Sequence, residues 1–157
     1  MGDYTLYLEA ARKYTKTADH LLTNTFPLVK DPKMLLTVLH NIFRAYSYAM
    51  MFMLYRDVEQ GKIPPFAEDF QSMFDVFKAR AERRYKINPE YIQIIEDINE
   101  TLIKRKESPM EFSRHEMYVI CSGQYETKTV TTKMLRDYIS KAKLFIDEID
   151  TGIVKHG

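Results

Sequence analysis

Four proline-marked junctions constrain this chain more than any other feature: Asp31-Pro32, Pro64-Pro65, Asn88-Pro89 and Ser108-Pro109. In three of them a short polar side chain directly precedes the proline, and its oxygen can accept from the orphan N–H groups of a first helical turn. Proline at the first helical position gives up only a hydrogen bond that the helix would not have made. Between these marks the apolar residues recur at helical spacing. The pattern predicts an all-α, antiparallel bundle of about five helices, one domain over residues 1–157. A chain of 157 residues is long enough to enclose a real core.

The first helical segment is expected from about Tyr4 to Thr25, with Tyr7, Ala10, Ala11, Tyr14, Ala18, Leu21 and Leu22 on one stripe. Phe26-Pro27 and Lys30 break that pattern before Asp31. A second, longer and more apolar helix is expected from Pro32 to about Gln60, with Gly61 as its stop. A third follows Pro64-Pro65, carrying Phe66, Phe70, Met73, Phe74, Phe77 and Ala81. Asn88 caps a fourth, on which Tyr91, Ile94, Ile95, Ile98 and Leu102 repeat the rhythm. The last, from about Thr131 to Asp150, has the cleanest amphipathic pattern.

Residues 107–130 carry conflicting signals. Ser108-Pro109-Met110-Glu111 reads as a capping box, so a short helix is expected to start there. Met117-Tyr118-Val119-Ile120-Cys121 has strand composition, Ser122-Gly123 is a turn, and Tyr125, Thr127, Thr129 and Thr131 alternate with other residues. A short helix followed by an extended excursion or small hairpin is the expectation. A continuous helix through Cys121 is the alternative.

Composition closes off several function classes. A net charge of +1 offers no global attraction for a polyanion, so any such case must come from local clusters. The one cysteine excludes an internal disulfide framework and suits a reducing cytoplasm. No secretory leader is expected from Met1-Gly2-Asp3-Tyr4. The longest uncharged run, between Arg44 and Arg56, falls well short of the roughly 20 residues of a membrane span. His20, His40, His115 and His156 are scattered, and Glu111 with His115 would supply only two ligands, so neither metal nor cofactor is expected.

Three groups of residues remain as candidates, each with a plainer reading beside it. His40, Arg44 and Ser47 share the polar side of the second helix with Thr37, Asn41 and Tyr48. They line a possible cleft in which Arg44 binds an anion and His40 moves a proton. The plainer reading is a solvent-facing strip. Lys104, Arg105 and Lys106, with Ser108 and Arg114, make a possible anion site at the start of the next helix, though basic residues also suit a helix C-terminus. Lys78, Arg80, Arg83, Arg84 and Lys86 surround Tyr85, a set that could grip an RNA backbone and stack one base. Those cations equally complement the end of the third helix. Antiparallel packing would hold this set and Lys104-Arg105-Lys106 roughly 25 Å apart.

The antiparallel helical arrangement resembles the HEPN superfamily, small bundles tied to RNA cleavage and nucleotidyltransferase partners. The stretch Ser108-Pro109-Met110-Glu111-Phe112-Ser113-Arg114, followed by Tyr118-Val119-Ile120-Cys121, resembles a group of small archaeal proteins of no known activity. Active HEPN ribonucleases carry Arg, four to six residues, then His. Arg12 with His20, Arg105 with His115 and the adjacent Arg114-His115 all miss that spacing, so no catalytic residue carries over. The resemblance implies a non-catalytic binding or assembly module, with RNA or a nucleotide-handling protein as partner. An enzyme with an unconventional His/Arg site acting on a phosphodiester or nucleotide is the alternative. The wide apolar face of the second helix and its Met50-Met51-Met53 group lead to the expectation of a homodimer.

Overall fold

The computed structural model describes residues 3–107, 110–114, 116–121 and 127–152. Helix α1 spans Thr5–His20 and runs on through a π turn, Leu21–Thr25, into the short α2, Phe26–Val29. Phe26-Pro27 therefore does not end the first helical rod. Its end comes at Lys30, which enters the left-handed region (φ 55°) while its N–H closes the last turn on the Phe26 carbonyl at 2.7 Å. At Asp31-Pro32 the carboxylate accepts from the Lys33 N–H at 3.0 Å, an Asx turn that launches α3, Met34–Glu59. Gly61, at φ 72°, stops α3 as expected, its N–H bonded to the Val58 carbonyl.

Helix α3 is the axis of the molecule. It packs against α1, against α4 (Phe70–Arg80), α5 (Pro89–Glu107) and α6 (Thr132–Asp147), and against two strands. Leu35, Leu39, Ile42, Tyr46, Met50, Met53 and Leu54 are fully enclosed along it, each contributing about 1.5–3 kcal/mol relative to exposure. Two of the methionines expected to form an outer apolar face, Met50 and Met53, are thus in the core, and Met51 is half-buried against it. That physical basis for a dimer is removed.

Pro64-Pro65 does not start a helix. Residues 64–69 lack regular structure, and Phe66 leans on Tyr55 with ring centroids 5.2 Å apart. Helix α4 begins only after Asp69, whose carboxylate accepts from the Ser72 N–H at 2.9 Å and its hydroxyl at 2.7 Å. Asn88 behaves as read: its side-chain oxygen accepts from the Glu90 N–H at 3.0 Å, and Pro89 opens α5. Glu100 and Lys104 pair on α5 at 3.4 Å.

The capping box at Ser108 is overturned. Met110–Arg114 is strand β1, paired antiparallel with β2 (Met117–Cys121), which pairs in turn with β3 (Thr127–Thr131). Ser108 itself lies outside the described residues. Strand pairing supplies five residues of β1 with ladder partners, which a single capped turn could not match. The hairpin expectation holds, and a helix through Cys121 does not. Tyr118, Ile120 and Val130 turn into the core, so the small sheet covers one end of the bundle. Thr131 then caps α6, its hydroxyl accepting from the Met134 N–H at 3.1 Å.

Candidate functional site

The set around Tyr85 is drawn mostly inward. Tyr85 is buried, and its hydroxyl donates to Asp57 at 2.6 Å. Arg80 donates to the same carboxylate through Nε at 3.1 Å and Nη2 at 2.9 Å, and its guanidinium lies 5.4 Å from the Tyr85 ring centre. Burial and then the Asp57 carboxylate push the Tyr85 phenol up from its ordinary pKa. Asp57 has no solvent contact. Its neighbour Arg56 is also buried, donating weakly to the Ile149 carbonyl at 3.5 Å and lying over Phe52. Lys78 pairs with Glu96 at 3.1 Å. Tyr85 therefore cannot stack a base, and Arg80 belongs to a buried network that ties α3 to α4. Arg83, Arg84 and Lys86 alone of the six stay exposed.

Asp57 and Arg56 were absent from the sequence reading, yet a signal existed. Asp57 falls in phase with Met53 and Met50, one and two turns back along the buried face of α3. A carboxylate at such a position demands a cation and a hydroxyl to satisfy it.

The other two sets converge. Helix α5 ends against α3, bringing Arg105 and Lys106 close enough to His40 for their charges to act on its imidazole, together with Arg44 one turn along α3. Partial burial is the largest cause of a lowered His40 pKa, and the three cations add to it. These causes all favour the neutral imidazole. His40, Arg44 and Lys106 are exposed and Arg105 is half-buried. Arg44 is steadied by the Tyr14 ring, 5.6 Å from its guanidinium carbon. Tyr14 heads a line of rings that staples α1 to α3: Tyr14 on Tyr48 at 5.5 Å, Tyr48 on Tyr7 at 6.2 Å, Tyr7 on Tyr55 at 5.1 Å.

Two members of the original sets do not join. Lys104 turns to Glu100, which Lys128 also approaches at 3.6 Å, so two lysines neutralise the carboxylate one turn before the cluster. Ser47 is buried with its hydroxyl unpartnered among the described residues, and shares no surface with His40. Ser108 and His115 lie outside the described residues, as does the side chain of Arg114.

What remains is a cationic face of Arg44, Arg105 and Lys106 around the His40 imidazole. Such a face can hold a phosphate by charge-assisted hydrogen bonds. Among the described residues no group of three or more His, Cys, Asp or Glu could hold a metal ion, and no helix is long and apolar enough to cross a membrane. Comparison with known protein families, curated proteins and solved structures finds no match to this chain.

Proposed function

We propose that this chain is an HEPN-like, non-catalytic binding module of the cytoplasm that takes the phosphate backbone of single-stranded RNA on the face formed by His40, Arg44, Arg105 and Lys106. One observation carries the reading: cations from α3 and from the end of α5 gather around one imidazole. The exposure of His40 and Arg44 favours binding over chemistry, because acid–base catalysis gains most in a water-excluding cleft. The HEPN-like part of the proposal rests on the helical architecture, the RNA part on the cluster.

A second reading has its own support. A neutral imidazole beside an arginine is the protonation state a general base needs, so a phosphodiester-cleaving role for His40 is retained as the alternative.

Titration of a mixed-sequence single-stranded RNA at several salt concentrations, with cleavage followed on a gel, separates the two. Three cations on phosphates give a slope of about −2 in log affinity against log salt. Arg44→Glu or Lys106→Glu should abolish binding, whereas Arg83→Glu leaves it nearly intact. The reverse ranking would return the interface to the end of α4. Cleavage lost in His40→Ala with affinity kept would establish the enzyme instead.

A further inference from the structure

Beyond the proposed RNA face, α2, the turn into α3, the start of β2 and the first turns of α6 enclose a cleft of about 560 Å3, walled by Phe26, Pro27, Lys30, Pro32, Glu116 and Arg136. That volume lies within the range of ligand clefts. We propose that it is a docking site for an acidic, aliphatic peptide segment of a partner protein: an aliphatic side chain on the proline floor, a carboxylate held by Lys30 and Arg136.

Charge complementarity selects the carboxylate. Among the described residues neither Lys30 nor Arg136 makes an ion pair. Glu116, the one acid among the described wall residues, is held to α6: its carboxylate accepts from the Thr132 hydroxyl at 3.1 Å and its carbonyl from the Thr132 N–H at 3.3 Å. Asp31 is turned to the Lys33 N–H. The wall therefore sets two cations against the one carboxylate of Glu116, a positive balance that an incoming acid would pair.

The apolar wall selects an aliphatic partner. Pro27 and Pro32 form the apolar lining together with Phe26, which is only 5% exposed; Leu28 and Val29 flank the cleft without lining it. Among the described wall residues the one ring, Phe26, is too buried to stack a nucleobase, so a nucleotide is the poorer occupant. The two proline rings instead suit a branched side chain.

The backbone of Lys30 is the third observation. It adopts φ 55°, where a residue with a Cβ is disfavoured and glycine is the ordinary helix terminator. Lys86 ends its own turn in the same way (φ 51°), and at Lys30 the conformation sets a cation in the cleft wall. Residues held in such conformations concentrate at functional sites.

Fluorescence polarisation with a fluorescein-labelled pentapeptide of alternating aspartate and leucine tests the proposal on the full chain. Saturable binding is expected, at least tenfold weaker when serine replaces the leucines or lysine replaces the aspartates. Lys30→Gly should weaken binding about fivefold or more, the scale of a half-exposed charge-assisted contact, while its melting temperature stays level or rises. Arg136→Gln, on an exposed position, should weaken binding likewise with no change in melting. Unaltered affinity in Lys30→Gly would overturn the proposal, as would equal binding of the lysine peptide. Displacement of the peptide by AMP at matching concentration would overturn the choice of occupant.

Discussion

Asp57→Asn probes the network that removed Arg80 and Tyr85 from the surface. The carboxylate has no solvent contact and accepts three hydrogen bonds, two from Arg80 and one from Tyr85. Asparagine keeps the shape but loses the charge, and its amide must point an N–H at a donor, either the guanidinium or the phenol. Breaking a buried pair by altering one partner costs about 3–5 kcal/mol. The Arg80 side chain is 19% exposed, so water can partly resolvate it, which places the expectation at the lower end, about 3 kcal/mol. Domains of ordinary stability have about 5–15 kcal/mol in total, so the variant should fold but unfold at much lower urea. Urea denaturation followed by far-UV circular dichroism measures the loss. Tyr85→Phe alone should cost about 1.5–3 kcal/mol, as removal of a hydrogen bond to a charged group. The double variant should fall short of the sum by about 0.5–3 kcal/mol, because both changes act on one carboxylate. A loss below about 1 kcal/mol for Asp57→Asn would refute the network as drawn and reopen Tyr85 as an available surface ring. For the same reason Arg80→Glu is unsuited to mapping an RNA interface: it would damage the fold.

Ser47→Ala should raise stability by about 1 kcal/mol in the same urea assay, since it deletes a buried hydroxyl without a partner; destabilisation would mean that the hydroxyl is satisfied after all. Thr131→Ala should cost about 0.5–2 kcal/mol by orphaning the Met134 N–H at the start of α6, a loss that serine at the same position should largely restore. RNA affinity should strengthen as pH falls below about 6.5, the ordinary His value. Phosphate favours a charged imidazole, whereas burial and the neighbouring cations hold His40 neutral in the free protein. The free fold moves in the opposite direction, losing stability as pH falls through the same window, because the unfolded chain takes up that proton first. His40→Ala should flatten both responses, and an affinity independent of pH from about 5 to 7 would exclude His40 from the interface.

Periodicity made α3, α5 and α6 readable because each buries a continuous face whose phase is set by residues on that helix alone. Thr131 and Asn88 were readable as starts because capping is local. Pro64-Pro65 misled, since a proline marks a permissible start and not an obligatory one; Asp69, nearer to the apolar run, supplied the side-chain acceptor. Ser108 misled for a different reason. The pairing of Met110–Arg114 with β2 is a contact between segments, and it overrides a local preference worth little by comparison. The convergence of His40 with Arg105 and Lys106 was beyond sequence reasoning, because it depends on where α5 ends against α3. Each half was seen, but not that they belong together.

The π turns at Leu21–Thr25, Ala81–Tyr85 and Glu148–Gly152 bear on how this chain can change length. A π turn is an α-helix holding one surplus residue, visible where the Phe26 N–H reaches back to Leu21 and the Lys86 N–H to Ala81. Deleting the exposed Arg83 would let the end of α4 rewind as ordinary α-helix, with Tyr85 still facing Asp57. The same deletion within α3 would rotate everything beyond it by about 100° and scatter the buried face. Single-residue gaps in a set of homologues should therefore gather at these three turns and avoid the helical rods between them.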